Sequence, residues 1–149
     1  MRIGIALLVF LFCACQTVPK KAQAFNEAQQ LIEQTVAKHP NLVRLTIHAV
    51  PTGETVDKII ACNVREKLGK ISDPEDIEAR TSKKTTVLHE GNNLDVTAPI
   101  LDKAGQAIAA TGITLAIPPN TGEEALVKEA QAIAQELTTA IQTAGHPLW

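Results

Sequence analysis

Two short stretches alternate polar and apolar residues in a way that could build a binding site. Arg44, Thr46 and His48 share one face of the first stretch, and Asp95 and Thr97 share one face of the second. Such alternation is typical of β-strands, whose successive side chains point to opposite sides of a sheet. An Arg can bind a carboxylate in bidentate fashion, and an Asp can hold an ammonium group. These residues are therefore candidate contacts for an anionic or zwitterionic ligand.

Asn63 and Arg65 complete the predicted ligand-binding set, because they follow a predicted strand where a loop could close over a pocket. Ordinary turn chemistry explains these two residues equally well. The strand residues have an alternative of their own, because charged side chains of an amphipathic sheet usually face solvent.

Other chemistries lack their usual sequence signatures. The chain contains no GxSxG, P-loop, HExxH or GxGxxG motif, and its four histidines are dispersed without metal-ligand spacing. Cys62 lies in an apolar stretch, where a cysteine is usually a buried and inert small hydrophobe. Aromatic residues make up only 3% of the chain, and no Lys/Arg run exceeds two residues, which argues against nucleic-acid binding. We expect no enzyme activity, no metal and no cofactor.

The candidate residues need a sheet to position them. Hydrophobic periodicity predicts helices at 25–38 and 73–80, a last helix that runs to about 144, and strands at 42–50, 56–62, 85–90, 94–101 and 108–117. Short links between strands imply antiparallel pairing. The expected class is α+β, with one mostly antiparallel central sheet of about five strands and long N- and C-terminal helices.

Capping signals mark the ends of the second and third helices. Ser72 with Glu75, and Thr121 with Glu124, have the spacing of a capping box, and Gly145 suits a helix C-terminus.

The N-terminus predicts export. Residues 3–14 form an apolar run behind Arg2, which is typical of a secretory signal and too short to span a bilayer comfortably. We expect a signal peptide at 1–14, an acylated Cys15 and a tether at 15–24, because the apolar run stops at Cys15. The alternatives are cleavage after Ala24, within an A-x-A site, and loss of Cys15 with the signal. The expected location is the periplasm or cell envelope as a membrane-anchored lipoprotein, or alternatively secretion as a soluble protein.

The stretch 59–115 resembles the extracytoplasmic PAS-like sensor domains called Cache domains. The resemblance is carried by Ala61-Cys62-Asn63, the segment 67–76, the strand 94–100 and the turn Asp102-Lys103-Ala104-Gly105. It implies a Cache-like domain at 25–145, a tail at 146–149, and a pocket for a small carboxylate or amino acid on one face of the sheet. Cache domains usually feed a kinase, cyclase or chemotaxis domain, so a chain that ends at Trp149 would need a separate signalling partner.

The expected function is an exported, lipid-anchored module that binds a small metabolite and acts as a sensor. The alternative is a structural or protein-interaction lipoprotein whose pocket is filled by apolar side chains. The apolar stripes of the two long helices could also pair two subunits into a homodimer, although packing within one core explains them equally well.

Overall fold

The structure is a computed structural model that describes residues 20–149, with side-chain detail from residue 27 onward. The predicted signal peptide and the acylation of Cys15 lie outside these residues. None of the helices within 20–149 combines the length and the apolar character that a bilayer crossing requires.

The fold contains three helices, five strands and one short 3-10 turn. The helices are α1 (Lys20–Lys38), α2 (Pro74–Ser82) and α3 (Glu123–Ala144), and the 3-10 turn is Arg65–Lys67. The strands are β1 (Leu42–Ala49), β2 (Lys58–Cys62), β3 (Thr86–Glu90), β4 (Asn93–Leu101) and β5 (Ala107–Ala116). The predicted α+β class with a five-stranded antiparallel sheet is confirmed. The first helix begins at Lys20, so the end of the predicted tether is helical.

The strand order is β2-β1-β5-β4-β3, and every neighbouring pair is antiparallel. Since β2 and β3 lie at opposite edges, the chain between them must cross one face of the sheet. This crossing carries the 3-10 turn and α2, which contacts β4 and β5. The other face is covered by α1 and α3, and the two faces therefore have different coverings.

The helix-covered face holds the hydrophobic core. Its strand residues are aliphatic and fully buried, among them Leu45, Ile47, Val96, Ile113 and Leu115. They pack against the buried stripe of α3, which includes the predicted Leu126, Ala130, Ile133, Leu137 and Ile141. Two residues of the predicted tail, Leu148 and Trp149, are also buried in this core.

The capping box of α2 is shifted by one residue from its predicted position. Asp73 is the N-cap, and Asp76 Oδ2 accepts a hydrogen bond from the Asp73 backbone N–H at 3.1 Å. The predicted pairing of Ser72 with Glu75 is wrong, because Ser72 turns toward the sheet and donates to Asp57.

The predicted capping box of α3 is also wrong. Gly122 is the N-cap, without a side-chain cap, so neither Thr121 nor Glu124 has the predicted role. The expected cap at the other end is confirmed, since Gly145 adopts the left-handed conformation with φ of 77° that glycine tolerates best.

Candidate functional site

A small cavity lies between the polar face of the sheet and the segment that crosses it. We call it the polar cavity; its volume is about 90 Å³. The residues that line it are Arg44, Thr46, His48, Ile59, Lys67, Asp73, Glu75, Asp76, Glu90, Asp95 and Gly112. The sheet register explains how distant parts of the chain meet here. Arg44 and Asp95 both pair with Thr114 of β5, from its two sides, so one row of side chains crosses three strands.

The floor of the polar cavity depends on a glycine. Thr46 Oγ1 donates to the Gly112 carbonyl at 3.2 Å and accepts the Gly112 N–H at 3.1 Å. A Cβ on Gly112 would lie 2.7 Å from Thr46 Oγ1 and 3.6 Å from His48 Nε2. Any larger residue would therefore displace these side chains or enter the cavity.

His48 is the centre of a buried hydrogen-bond network. Its Nε2 lies 2.7 Å from Thr46 Oγ1, and its Nδ1 lies 3.0 Å from Ser72 Oγ and 3.1 Å from Asp76 Oδ2. Ser72 Oγ donates to Asp57 Oδ1 at 2.7 Å, and Arg80 Nε donates to Asp57 Oδ2 at 2.8 Å. The network joins the sheet to α2 and to the loop before β2.

Burial determines the charge of this network. It lowers the pKa of His48 to about 4, although Asp57 and Asp73 act in the opposite direction. It raises the pKa of Asp76 to about 7, and the neighbouring Glu75 adds to this effect. Between these two values both His48 and Asp76 are neutral. Their 3.1 Å contact is then a hydrogen bond between uncharged groups rather than an ion pair.

Arg44 is already held by two carboxyl groups. Its Nη2 donates to both oxygens of Glu90, at 3.2 and 3.1 Å, and makes a longer contact of 3.4 Å with Asp95 Oδ1. The same Asp95 oxygen accepts a hydrogen bond from Thr114 Oγ1 at 2.5 Å. Burial nevertheless raises the pKa of Asp95 above its ordinary value. One guanidinium nitrogen, Nη2, therefore contacts both carboxyl groups, which offset the positive charge of Arg44.

Four of the seven predicted ligand-binding residues line the polar cavity, namely Arg44, Thr46, His48 and Asp95. Thr97 is buried on the same face, directly opposite Gly112 of β5, but it does not line the cavity.

The structure does not place Asn63 and Arg65 at the polar cavity. Asn63 Oδ1 accepts the Leu45 N–H at 2.8 Å, so this side chain extends the pairing of β1 and β2. Arg65 is exposed and pairs with Glu33 of α1 at 2.7 Å, on the other side of the sheet. The chain first turns toward α1 after β2, and only Lys67 of the 3-10 turn reaches the cavity.

Sequence reasoning missed several lining residues, above all Asp76 and Gly112. Gly112 had a usable signal, because an isolated glycine in a strand often marks a close backbone approach. Asp76 would have followed from reading the α2 capping box one residue later, from Asp73. Glu90 had no local signal, since only the pairing of β3 with β4 brings it beside Arg44.

A larger, apolar cavity of about 320 Å³ lies between the β4–β5 turn and the end of α3, with Ile108 and Ile141 in its wall. Its size falls at the lower end of the range of known ligand sites. Its polar groups, however, are already hydrogen-bonded to the protein backbone. Asp102 Oδ1 accepts two backbone hydrogen bonds within the turn, and Gln142 Nε2 donates to the Leu101 and Asp102 carbonyls. The polar cavity is therefore the better candidate site, because its buried polar groups converge on open space.

No group of three or more His, Cys, Asp or Glu side chains within residues 20–149 is arranged to hold a metal ion. Cys62, the one free cysteine among these residues, is buried, and burial raises its pKa. Its burial agrees with its sequence context, and its Sγ accepts the Val64 N–H at 3.2 Å.

No family model matches the chain, and no curated protein matches it. Solved structures do match in fold. The GAF domain region of a putative membrane protein from Geobacter sulfurreducens has a TM-score of 0.59 and 12% identity, with 83% of this chain and 96% of that chain covered. The inducer-binding domain of an Acinetobacter PobR transcription factor, a double mutant complexed with 3-hydroxybenzoic acid, has a TM-score of 0.50 and 11% identity, covering 78% and 96%.

A type II free methionine-R-sulfoxide reductase from Thermoplasma acidophilum is similar to the same degree, with a TM-score of 0.51, 16% identity, and 80% and 95% of the two chains covered. Likenesses at such low identity show the fold. The chain has the PAS/GAF-like fold, which confirms the PAS-like fold that the sequence resemblance implied.

Proposed function

We propose that this chain is a small-molecule-binding module of the sensor type, and that the polar cavity is its ligand site. The supporting observation is the burial of polar side chains on one face of the sheet, where His48, Asp76 and Asp95 are each at most 7% exposed. Each buried polar group costs free energy unless it finds partners. The same sheet fills its other face with aliphatic residues, so apolar packing was available. Because burying these polar groups costs free energy, their presence supports a role in ligand binding.

The size of the polar cavity limits the ligand. Its volume of about 90 Å³ is about three times the share of one water molecule in the liquid. The ligand is therefore a small, amino-acid-like metabolite, or part of a larger one that enters as α2 moves. The PobR domain, which is complexed with an aromatic carboxylic acid, supports a small-metabolite role for the fold.

More specifically, we propose that the chain is a Cache-type sensor that is exported and lipid-anchored through Cys15. It rests on the residues of the N-terminus and on the sequence resemblance. Mass spectrometry of the chain recovered from the membrane fraction tests it, with Cys15→Ser as the matched variant. A soluble product that begins after Ala24 would contradict the anchor and would leave the ligand site untouched.

A thermal-shift screen of the full chain against amino acids, short carboxylates and amines tests the ligand site. A ligand that binds only the folded state raises the melting temperature by several degrees at about 100 times its dissociation constant. Asp95→Ala should abolish the shift. Arg65→Ala is the matched control, because Arg65 is exposed and pairs with Glu33 away from the cavity. Absence of any hit would contradict the proposal.

An interaction module is the second candidate, because several large apolar side chains are exposed near the crossing segment. Ile71 is 70% exposed, and it pairs with Lys58 beside the exposed Val56. Exposed apolar groups of this kind often mark a protein-binding surface. In that case Ile71→Ser should abolish partner capture and leave the ligand screen unchanged.

We infer a binding role rather than catalysis, although one of the similar structures is a reductase. Burial keeps the Cys62 thiol protonated by raising its pKa, and a protonated thiol is a poor nucleophile. Methionine sulfoxide reduction by the purified chain, abolished by Cys62→Ser, would overturn this part of the proposal.

A further inference from the structure

The polar cavity has more acidic than basic side chains in its lining. The cations are Arg44 and Lys67, and His48 is uncharged above about pH 4. Arg44 is already engaged by Glu90 and Asp95. The carboxyl groups in the lining are those of Asp73, Glu75, Asp76, Glu90 and Asp95. A concave site with this balance repels an anion and attracts a cation at neutral pH.

Two of these carboxyl groups are buried and each has an oxygen without a partner. Asp76 is 6% exposed and Asp95 is 7% exposed. Asp76 Oδ2 accepts the Asp73 N–H, and Asp95 Oδ1 accepts from Thr114 and Arg44. Within residues 20–149, no protein group donates to Asp76 Oδ1 or Asp95 Oδ2. Among the described residues, Thr35 Oγ1 is the only fully buried side-chain polar atom without a partner, so Asp76 Oδ1 and Asp95 Oδ2 are open to solvent and remain spare acceptors in the cavity.

The two carboxyl groups act on one site. Asp76 and Asp95 both line the polar cavity. Asp76 Oδ1 lies 4.0 Å from the position that a Cβ on Gly112 would occupy, so it faces the floor of the cavity. The missing Cβ of Gly112 leaves space for a donor group there.

We propose that the polar cavity receives a small organic ammonium ion, with Asp76 and Asp95 as its receptors. This inference rests on the proposed function, because it needs the cavity to be a ligand site. An ammonium group brings three N–H donors and one positive charge, which matches two spare acceptor oxygens and an excess of carboxyl groups. A divalent metal fits less well, because the described residues hold no cluster of three suitable ligands.

Ammonium binding must be coupled to proton release from Asp76. Its pKa of about 7 means that much of the free protein carries a proton at this carboxyl group at neutral pH. The titratable groups that share the polar cavity with Asp76 are Asp73 and Glu75 of its own segment, His48 and Arg44 of β1, Asp95 of β4, Glu90 of β3 and Lys67 of the 3-10 turn. No titratable residue of β5 lines this cavity. An ammonium ion binds the ionised carboxylate, so its affinity falls as the pH drops below about 7.

Calorimetric titration of the full chain with methylammonium chloride and with sodium acetate tests this inference. We expect saturable binding of methylammonium, an affinity that falls by up to about tenfold per pH unit between pH 6.5 and 5.5, and no binding of acetate. Asp76→Asn and Asp95→Asn keep the side-chain shape and the existing hydrogen-bond acceptors. Each should weaken binding by about tenfold or more, because a charge-assisted hydrogen bond is lost. Asp76→Asn should also abolish the pH dependence.

Glu78→Gln is the matched control, since Glu78 is exposed on α2 and its replacement removes the same charge outside the cavity. Acetate binding without methylammonium binding overturns the ammonium assignment and leaves the proposed function intact. Equal methylammonium affinity in all three variants also overturns the assignment, because binding would then be non-specific. Failure of both probes overturns it too, and the metabolite screen then decides the proposed function separately.

Discussion

The two faces of the sheet bury different kinds of side chain. The helix-covered face is closed by two long helices over fully buried aliphatic residues such as Leu45 and Ile113. The polar face is closed by the nine residues of α2 over a hydrogen-bonded network centred on His48. Both faces bury side chains, but only the helix-covered face gains the full hydrophobic free energy of burial.

This contrast separates stability from function within one small domain. Aliphatic packing under α1 and α3 supplies the free energy that holds the sheet together, and the polar face can then carry groups that burial alone would not favour. Substitutions on the two faces should therefore affect different quantities. Changes under the long helices should lower stability, and changes under α2 should alter binding and the dependence on pH.

The largest effect is expected on the helix-covered face. Leu45→Ala removes a fully buried side chain and should lower the free energy of unfolding by about 2–5 kcal/mol, because the cavity it leaves cannot close completely. Urea denaturation measures this loss. Val43→Ala is the control, since Val43 lies on the same strand at 45% exposure and should cost only about 0.5 kcal/mol. Similar losses at both positions would contradict the assignment of the core.

Gly112→Ala should lower both the stability of the protein and its ligand binding. The new Cβ would lie 2.7 Å from Thr46 Oγ1, so we expect a loss of about 1–3 kcal/mol from overpacking, together with loss of ligand binding. Thermal denaturation and the ligand screen measure the two effects. Adding Thr46→Ala should recover part of the stability, because it removes the crowded hydroxyl. Additive losses in the double variant would show that the two side chains do not interact.

The pH dependence of stability offers a third test, because His48 and Asp76 have opposite shifts. Folded Asp76 keeps its proton up to about pH 7, whereas the unfolded chain loses it near 3.8, so stability falls as the pH rises across this range. Folded His48 is neutral down to about pH 4, whereas the unfolded chain is protonated below 6.5, so stability rises between these values. The two contributions should largely cancel in the natural protein.

Single variants should remove this cancellation. Between pH 4.5 and 6.5, Asp76→Asn should give a stability that rises with pH, and His48→Gln a stability that falls, each by about 1 kcal/mol per pH unit. Urea denaturation across this pH range measures both slopes. Two variants with slopes of the same sign would refute the opposite shifts.

The smallest effect is expected for a charged pair outside the cavity. Glu136 of α3 accepts hydrogen bonds from Lys38 and His39, and the contact with Lys38 lowers the pKa of Glu136. These groups are partly exposed, so Glu136→Gln should cost only about 0.2–1 kcal/mol, and less in high salt. Denaturation at low and high salt measures this. A larger loss that does not depend on salt would mean that the contacts of Glu136 are shielded from solvent, as those of the polar cavity are.

The strands were predictable because their signal is local. Alternation of side chains identified β1 and β4 and placed Arg44, Thr46, His48 and Asp95 on one side of each strand, which is where they lie. The N-cap of α2 was missed, since Asp73 with Asp76 has the same spacing as Ser72 with Glu75. The N-cap of α3 was missed because Gly122 caps this helix without a side chain. The structure places Asn63 and Arg65 away from the polar cavity, because the chain leaves β2 toward α1, and local residues do not specify that direction.

The sequence by itself determined the five strands, the long helices and the polar character of one sheet face, because side-chain periodicity is a property of each segment alone. Only the tertiary structure decided which charges share the cavity. Strand register sets Arg44 beside Glu90 and Asp95, and the crossing segment brings Asp76 over Gly112. Electrostatic interactions depend on distance in space, and no local pattern specifies the distance between residues that lie on different strands.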